Sequence, residues 1–111
     1  MAIETPLTWF RGEDVTLTVT LTPPTNITGW SLTFTIRDKL GGAVKITKDN
    51  GGTGGLTLTD AINGVFKVTI ARADTLTLAV QSYVYDIRRT DSGNNAIVAF
   101  GSIQLRQEVT P

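Results

Sequence analysis

The 111 residues predict an all-β domain, built as two antiparallel sheets packed face to face in a sandwich. Three observations point there. Several segments alternate apolar and polar residues, the spacing that sends successive side chains to opposite faces of a strand. Clusters of Gly, Pro, Asn and Asp punctuate those segments at short intervals. No stretch sustains an apolar repeat at helical spacing. A closed barrel satisfies the same pattern and is the alternative architecture.

Asp14 to Thr22 is the strongest strand. Val15, Leu17, Val19 and Leu21 share one face and Thr16, Thr18, Thr20 and Thr22 the other. Pro23-Pro24 ends it, since proline has no N–H for the ladder. Trp30 to Arg37 repeats the pattern, with Trp30, Leu32, Phe34 and Ile36 inward and Ser31, Thr33, Thr35 and Arg37 outward. Gly41-Gly42 marks a turn, and Ala43 to Thr47 reads as a shorter strand with Val44 and Ile46 inward. Residues 50–55 are expected to form a flexible Gly-rich loop, followed by a brief strand at Leu56 and Leu58. Asn63-Gly64 signals a turn before Val65 to Ile70, where Phe66, Val68 and Ile70 face inward.

Ala71 to Ser82 lacks alternation and is expected to make a short helical turn, with Leu76 and Leu78 plugging the core. Tyr83, Tyr85 and Ile87 restore the period of two, and residues 91–95 form a hairpin loop. The last strand, Ile97 to Arg106, has mixed parity. Ile97, Ala99, Ile103 and Leu105 agree while Phe100 opposes them, which places a bulge at Gly101.

Ten basic and ten acidic residues cancel, so no net charge draws the chain to nucleic acid or an anionic membrane. Without Cys there is neither a disulfide nor a thiolate metal site, and without His the commonest general base is missing. Ser31, Ser82, Ser92 and Ser102 therefore have no imidazole to activate them, and the spacing of Asp14, Asp60, Asp74 and Asp86 singles out no acid–base pair. The residues around Asp49-Asn50 and Asp91 to Asn95 lack the spacing of a calcium loop. The glycines at 51–55 lack the Lys-Ser/Thr pair of a phosphate loop. Arg88-Arg89, with Arg37 as a possible neighbour, is too small a basic group for nucleic acid. No enzyme activity and no cofactor is expected. Asn26-Ile27-Thr28 has the form of a glycosylation acceptor but reads as a turn. The first six residues lack the basic start and apolar run of a secretory signal, so synthesis and retention in a cytosol are expected.

Three segments carry a family likeness. They are Trp9-Phe10-Arg11-Gly12-Glu13-Asp14, then Ile27-Thr28-Gly29-Trp30 leading into Leu32 to Arg37, and Tyr83 to Asp91, followed by Gly101-Ser102-Ile103-Gln104-Leu105 and Val109-Thr110. In order and spacing they resemble the small immunoglobulin-like domains of tailed-phage structural proteins, of the type at the N-terminus of baseplate upper proteins. The likeness covers nearly the whole chain. It implies an immunoglobulin-like antiparallel β-sandwich of seven to eight strands, sited in a virion made in the host bacterial cytoplasm, with no catalytic residues. Baseplate upper proteins continue into long receptor-binding or fibre-holding parts, whereas this sequence ends at Pro111, so a fibre-holding role is not carried over. Tyr83, two residues before Tyr85, fits the tyrosine corner of such folds, with a plain core ring as the alternative.

The expected organisation is an N-terminal arm or edge segment over residues 1–8, the sandwich over 9–108 and a tail over 109–111. Deleting residues 1–8 is expected to leave the domain folded and weaken assembly. Trp9 and Phe10 are candidate interface residues, one of them expected to cap the core and the other to anchor a neighbour. Thr16, Thr18 and Thr20, beside Thr33 and Thr35, make a flat uncharged face that lacks the Lys and Glu usually guarding exposed strands. The expected partners are other virion structural proteins and further copies in a symmetric assembly, not nucleic acid or membrane. The alternatives are a capsid decoration protein and a carbohydrate- or receptor-binding module. The last requires Trp9 and Trp30 to form an exposed platform.

Overall fold

The computed structural model describes residues 3–4, 6–21, 24–91, 93 and 95–107. The expected tail at 109–111 and the strand end at Thr22-Pro23 lie outside them, as do Ser92 and Asn94. The chain is a β-sandwich. In order it forms β1 (Ile3–Glu4), β2 (Leu7–Phe10), β3 (Val15–Thr20), β4 (Leu32–Arg37), β5 (Val44–Asp49), β6 (Leu56–Asp60), β7 (Val65–Ile70), the one-turn helix α1 (Arg72–Thr75), β8 (Ser82–Arg89) and β9 (Ala96–Arg106). The large sheet runs β1-β9-β8-β4-β5, and β2 also pairs with β9. The small sheet runs β3-β7-β6.

The named strands pair antiparallel except at one edge, where β1 and β2 lie parallel to β9, with Ile3 opposite Ala99 and Leu7 opposite Ile103. The N-terminal segment is thus built into the large sheet, and Leu7 packs against the core. Removing residues 1–8 strips that edge. A clear fall in the thermal midpoint of the isolated domain is expected, in place of the intact fold anticipated from sequence.

The core is the alternation made solid. Leu32, Phe34 and Ile36 of β4, Tyr83, Tyr85 and Ile87 of β8, and Ile103 and Leu105 of β9 meet Phe66, Val68 and Ile70 of β7, all of them buried. Each such aliphatic or aromatic side chain contributes about 1.5–3 kcal/mol by leaving water. Phe34 and Tyr85 meet as tilted rings with centroids 5.6 Å apart.

Two bulges account for departures from simple alternation. Ile36 pairs with Ile46 but Arg37 with Val44, so Lys45 is the extra residue on β5. The pleat flips there and Val44 faces out, 48 % exposed, rather than inward. Likewise Ile87 pairs with Ala99 and Arg88 with Ile97, so the bulge in β9 sits at Val98, not at Gly101. It turns Ile97 to the outer face with Phe100 and returns Ala99, Ile103 and Leu105 to the core.

In the segment 71–82, Leu76 is 41 % exposed instead of plugging the core, while Leu78 packs against it. Thr75 takes the buried place, and its Oγ1 accepts the Gly12 N–H at 2.8 Å. The helix start is held by two carboxylates: Asp14 accepts the Arg72 N–H at 2.7 Å and Asp74 the Ala71 N–H at 2.7 Å. Just beyond, the Tyr83 hydroxyl donates to the Ala79 carbonyl at 2.6 Å, so the ring is both core and corner. Burial pushes its pKa up, with a smaller push from the charge of Asp38. Tyr83→Phe orphans that carbonyl, and a loss of about 1 kcal/mol in urea unfolding is expected.

The Gly-rich loop is organised, not merely flexible. Asp49 Oδ1 accepts the N–H groups of Gly51, Thr53 and Gly54 at 3.0, 3.1 and 3.0 Å. The Asn50 amide bridges the Trp30 carbonyl and the Leu32 N–H at 2.8 and 2.9 Å, extending the β4 edge by a side chain. The Gly54 and Gly51 N–H groups hold the Asp49 carboxyl below its usual pKa. A depressed folded pKa stabilises the fold above the unfolded value of about 3.9 and stops doing so as pH falls through the folded value. Asp74 and Asp91 are depressed as well. Asp49→Asn is therefore expected to make the acid-side decline of the urea midpoint shallower without abolishing it.

Candidate contact surfaces

The candidate interface residues do not gather on one surface. Trp9 is buried at 7 % exposure, against Ile36, Ile46, Tyr83, Ile103 and Leu105. Phe10, next along β2, points outward at 44 % exposure. It lies on the outer face of the large sheet, opposite Arg106 in register. Thr16, Thr18 and Thr20 are exposed on the outer face of the small sheet. Thr33 and Thr35 belong to β4 in the other sheet, so they face away from the β3 threonines rather than continuing their surface.

Trp30 lies before β4 and is half-buried, not fully inward. The Arg89 guanidinium sits 4.0 Å over its ring and is held there by Asp91, with Nε–Oδ2 and Nη2–Oδ2 distances of 2.9 and 2.8 Å. Asp91 also accepts the Ser31 N–H, the largest of the causes that lower its pKa. Trp9 and Trp30 stand at opposite ends of β4 and form no shared platform. The basic pair divides as well: Arg89 is taken by Trp30 and Asp91, while Arg88 is exposed opposite Thr33. Arg37 lies four positions along β4 from Thr33, and its Nη1 donates to the Gly42 carbonyl at 2.8 Å.

Asn26-Ile27-Thr28 is a turn held by the Asn26 side chain, whose Oδ1 accepts the Thr28 N–H at 3.0 Å. Asp60 accepts from Asn63, and Asp74 from Ala71 and from Lys48, whose Nζ lies 2.9 Å away. Among the described residues no three metal-ligating side chains cluster, and no helix is long and apolar enough to cross a membrane.

Sequence reasoning passed over a concavity on the large sheet. On the outer face of the large sheet, a groove of about 610 Å³ is bordered by Glu4, Arg37, Leu40, Val84, Ile97 and Phe100. Gly101 and Ser102 keep its floor low. Leu40, at the tip of the β4–β5 hairpin, is 87 % exposed, and Phe100 is 39 % exposed. The signal was in the sequence as the odd parity of Phe100. The bulge at Val98, which sets Ile97 beside it, has no local signature.

A second opening lies along the flank of β3. There a cleft of about 210 Å³ runs between the sheets, lined by Leu7, Leu17, Val19, Tyr85, Ile87 and Ala99 among others. Val15, Leu17 and Val19 face inward yet stay half-buried. Strand β3 pairs with β7 on one side, and no described strand pairs with its other side. Comparison with the models of known families gives no match, and no curated protein matches the sequence significantly.

Proposed function

We propose that this chain is a non-enzymatic, immunoglobulin-like module of a bacteriophage virion, set in the tail, baseplate or neck and acting through protein–protein contact. The observation that carries the reading is the apolar groove on the outer face of the large sheet. A sheet face turned to water is ordinarily polar. Here Leu40 and Phe100 stand exposed on that concave face, and Val84 and Ile97 add to its lining. An exposed aromatic among aliphatic side chains with a charged border is the composition of an interface core. The neutral chain suits close packing among like copies.

The immunoglobulin-like part of the reading is supported by the division of the strands into two sheets, by the parallel edge made by β1 and β2 on β9, and by the Tyr83 hydroxyl bond to Ala79. The virion setting is supported by the order of the three family-like segments. The partners are other virion structural proteins and further copies of the chain.

Quantitative mass spectrometry of purified particles tests the proposal. Copies in a small multiple of three or six, relative to the major capsid protein, are expected, following the symmetry of tail and neck rings. Hundreds of copies on separated heads would replace the proposal with capsid decoration. Absence from the particle would overturn it. Phe100→Asp is expected to leave the isolated domain folded and to deplete it from particles.

A further inference from the structure

We infer that β3 is an association edge that pairs antiparallel with β3 of a second copy about a two-fold axis centred on Thr18. This rests on the reading of the chain as a contact module and names the edge it uses to meet itself.

Three features of β3 coincide. Its outer side has no described partner strand, so a row of backbone donors and acceptors is left for another strand. Val15 to Leu21 carries no charge, no proline and no bulge, the devices that normally blunt an edge. The cleft beside it leads to the inner face, where Leu17 and Val19 are half-buried next to Leu7 and Ala99. The sandwich is thus open along this flank, and an added strand with aliphatic residues at alternate positions closes it.

A second copy of β3 is such a strand. Centred on Thr18, antiparallel pairing sets Thr16 against Thr20, Leu17 against Val19 and Val15 against Leu21. Every threonine meets a threonine on the outer face, and every aliphatic residue meets an aliphatic one on the inner face. Centring one residue away on Leu17 brings Asp14 into the ladder opposite Thr20. A centre midway between Leu17 and Thr18 mixes the two faces. The alternation therefore restricts the axis to residue-centred registers, and among these the Thr18 centre keeps Asp14 and Pro23 out of the pairs from Val15 to Leu21; the pairing is isologous, so it closes as a dimer. Two small sheets become one continuous six-stranded sheet across the axis.

Sedimentation equilibrium of the purified chain tests this. A reversible monomer–dimer equilibrium is expected. Thr18→Lys sets two lysines opposite each other on the axis, flanked by Lys67 of each copy, which stands opposite Thr18 in the β3–β7 ladder. The dimer dissociation constant is expected to rise on the order of tenfold or more. An equimolar mixture of Thr18→Lys and Thr18→Glu chains is expected to regain the dimer as a mixed pair. Thr16→Lys mixed with Thr20→Glu checks the register in the same way. These side chains are exposed, and unchanged thermal midpoints confirm that the variants stay folded.

A chain that stays monomeric up to its solubility limit overturns the inference. So does a dimer indifferent to Thr18→Lys, or one abolished by Phe100→Ser alone, which would place self-association on the large sheet. Failure here is separable from failure of the proposed function. A monomer found in particles removes only the edge pairing, and a β3-paired dimer missing from particles removes only the virion role.

Discussion

Trp9→Ala is expected to cost about 3–5 kcal/mol of folding free energy, and Phe10→Ala less than about 0.5 kcal/mol. The two aromatics are neighbours in sequence and opposites in structure. Trp9 turns inward from β2 into the space bounded by Ile36, Ile46, Leu78 and Tyr83, at 7 % exposure. Those walls belong to β4, β5, β8 and the segment before β8, all tied into ladders or the corner bond, so they cannot collapse far into the hole. The loss is accordingly a transfer term plus a cavity term. A domain of this size has a total stability of about 5–15 kcal/mol, so the variant gives up a large share of it. Phe10 turns outward, and its removal exposes little that was hidden. Urea unfolding of both variants reads the contrast directly. A Phe10→Ala cost equal to that of Trp9→Ala would mean that the outward ring packs on its own domain.

What could be read from the sequence was whatever obeys a local period. The inward sets of β4, β7 and β8 appear in the chain as unbroken alternation, because one buried face imposes period two on a strand. What could not be read was each place where a non-local event resets the period. Val44 and Ile97 look inward by parity and face outward, because one extra residue at Lys45 and one at Val98 flips the pleat. Neither residue is a Gly or Pro, so nothing announces the bulge. Ile27 is fully buried in a turn between polar neighbours, where no periodicity exists to mark it. The Thr75–Gly12 bond joins residues 63 positions apart and leaves no trace in either segment. The candidate surfaces divide along the same line. The uncharged β3 edge was visible as pattern. The groove was marked only by the odd parity of Phe100, because the rest of it depends on the bulge at Val98 and on the register that sets Phe100 beside Glu4 and Asp86.

The same reasoning about non-local constraint gives the second large effect. Gly64→Ala is expected to destabilise the domain by about 2–4 kcal/mol, whereas Gly29→Ala costs about 1–2 kcal/mol. Both glycines hold left-handed backbone, with φ of +73° and +81°, so each substitution pays the steric cost of a Cβ there. Around Gly29 nothing lies within 4 Å of the added carbon. At Gly64 it meets the Thr25 carbonyl oxygen at 2.6 Å and the Leu21 Cβ at 3.2 Å. Neither contact yields easily. The Leu21 N–H donates to the Gly64 carbonyl at 3.0 Å, and the Ile27 N–H donates to the Ala61 carbonyl at 2.8 Å, which pins the passing strand of chain on both sides of the clash. Gly64 also sets the entry of β7, whose Phe66, Val68 and Ile70 are fully buried, so relief by shifting β7 would disturb the middle of the core. Comparing the two variants by urea unfolding isolates the clash from the left-handed penalty. Equal costs would show that the Thr25 segment moves aside freely and that this close approach contributes nothing to the stability of the sandwich.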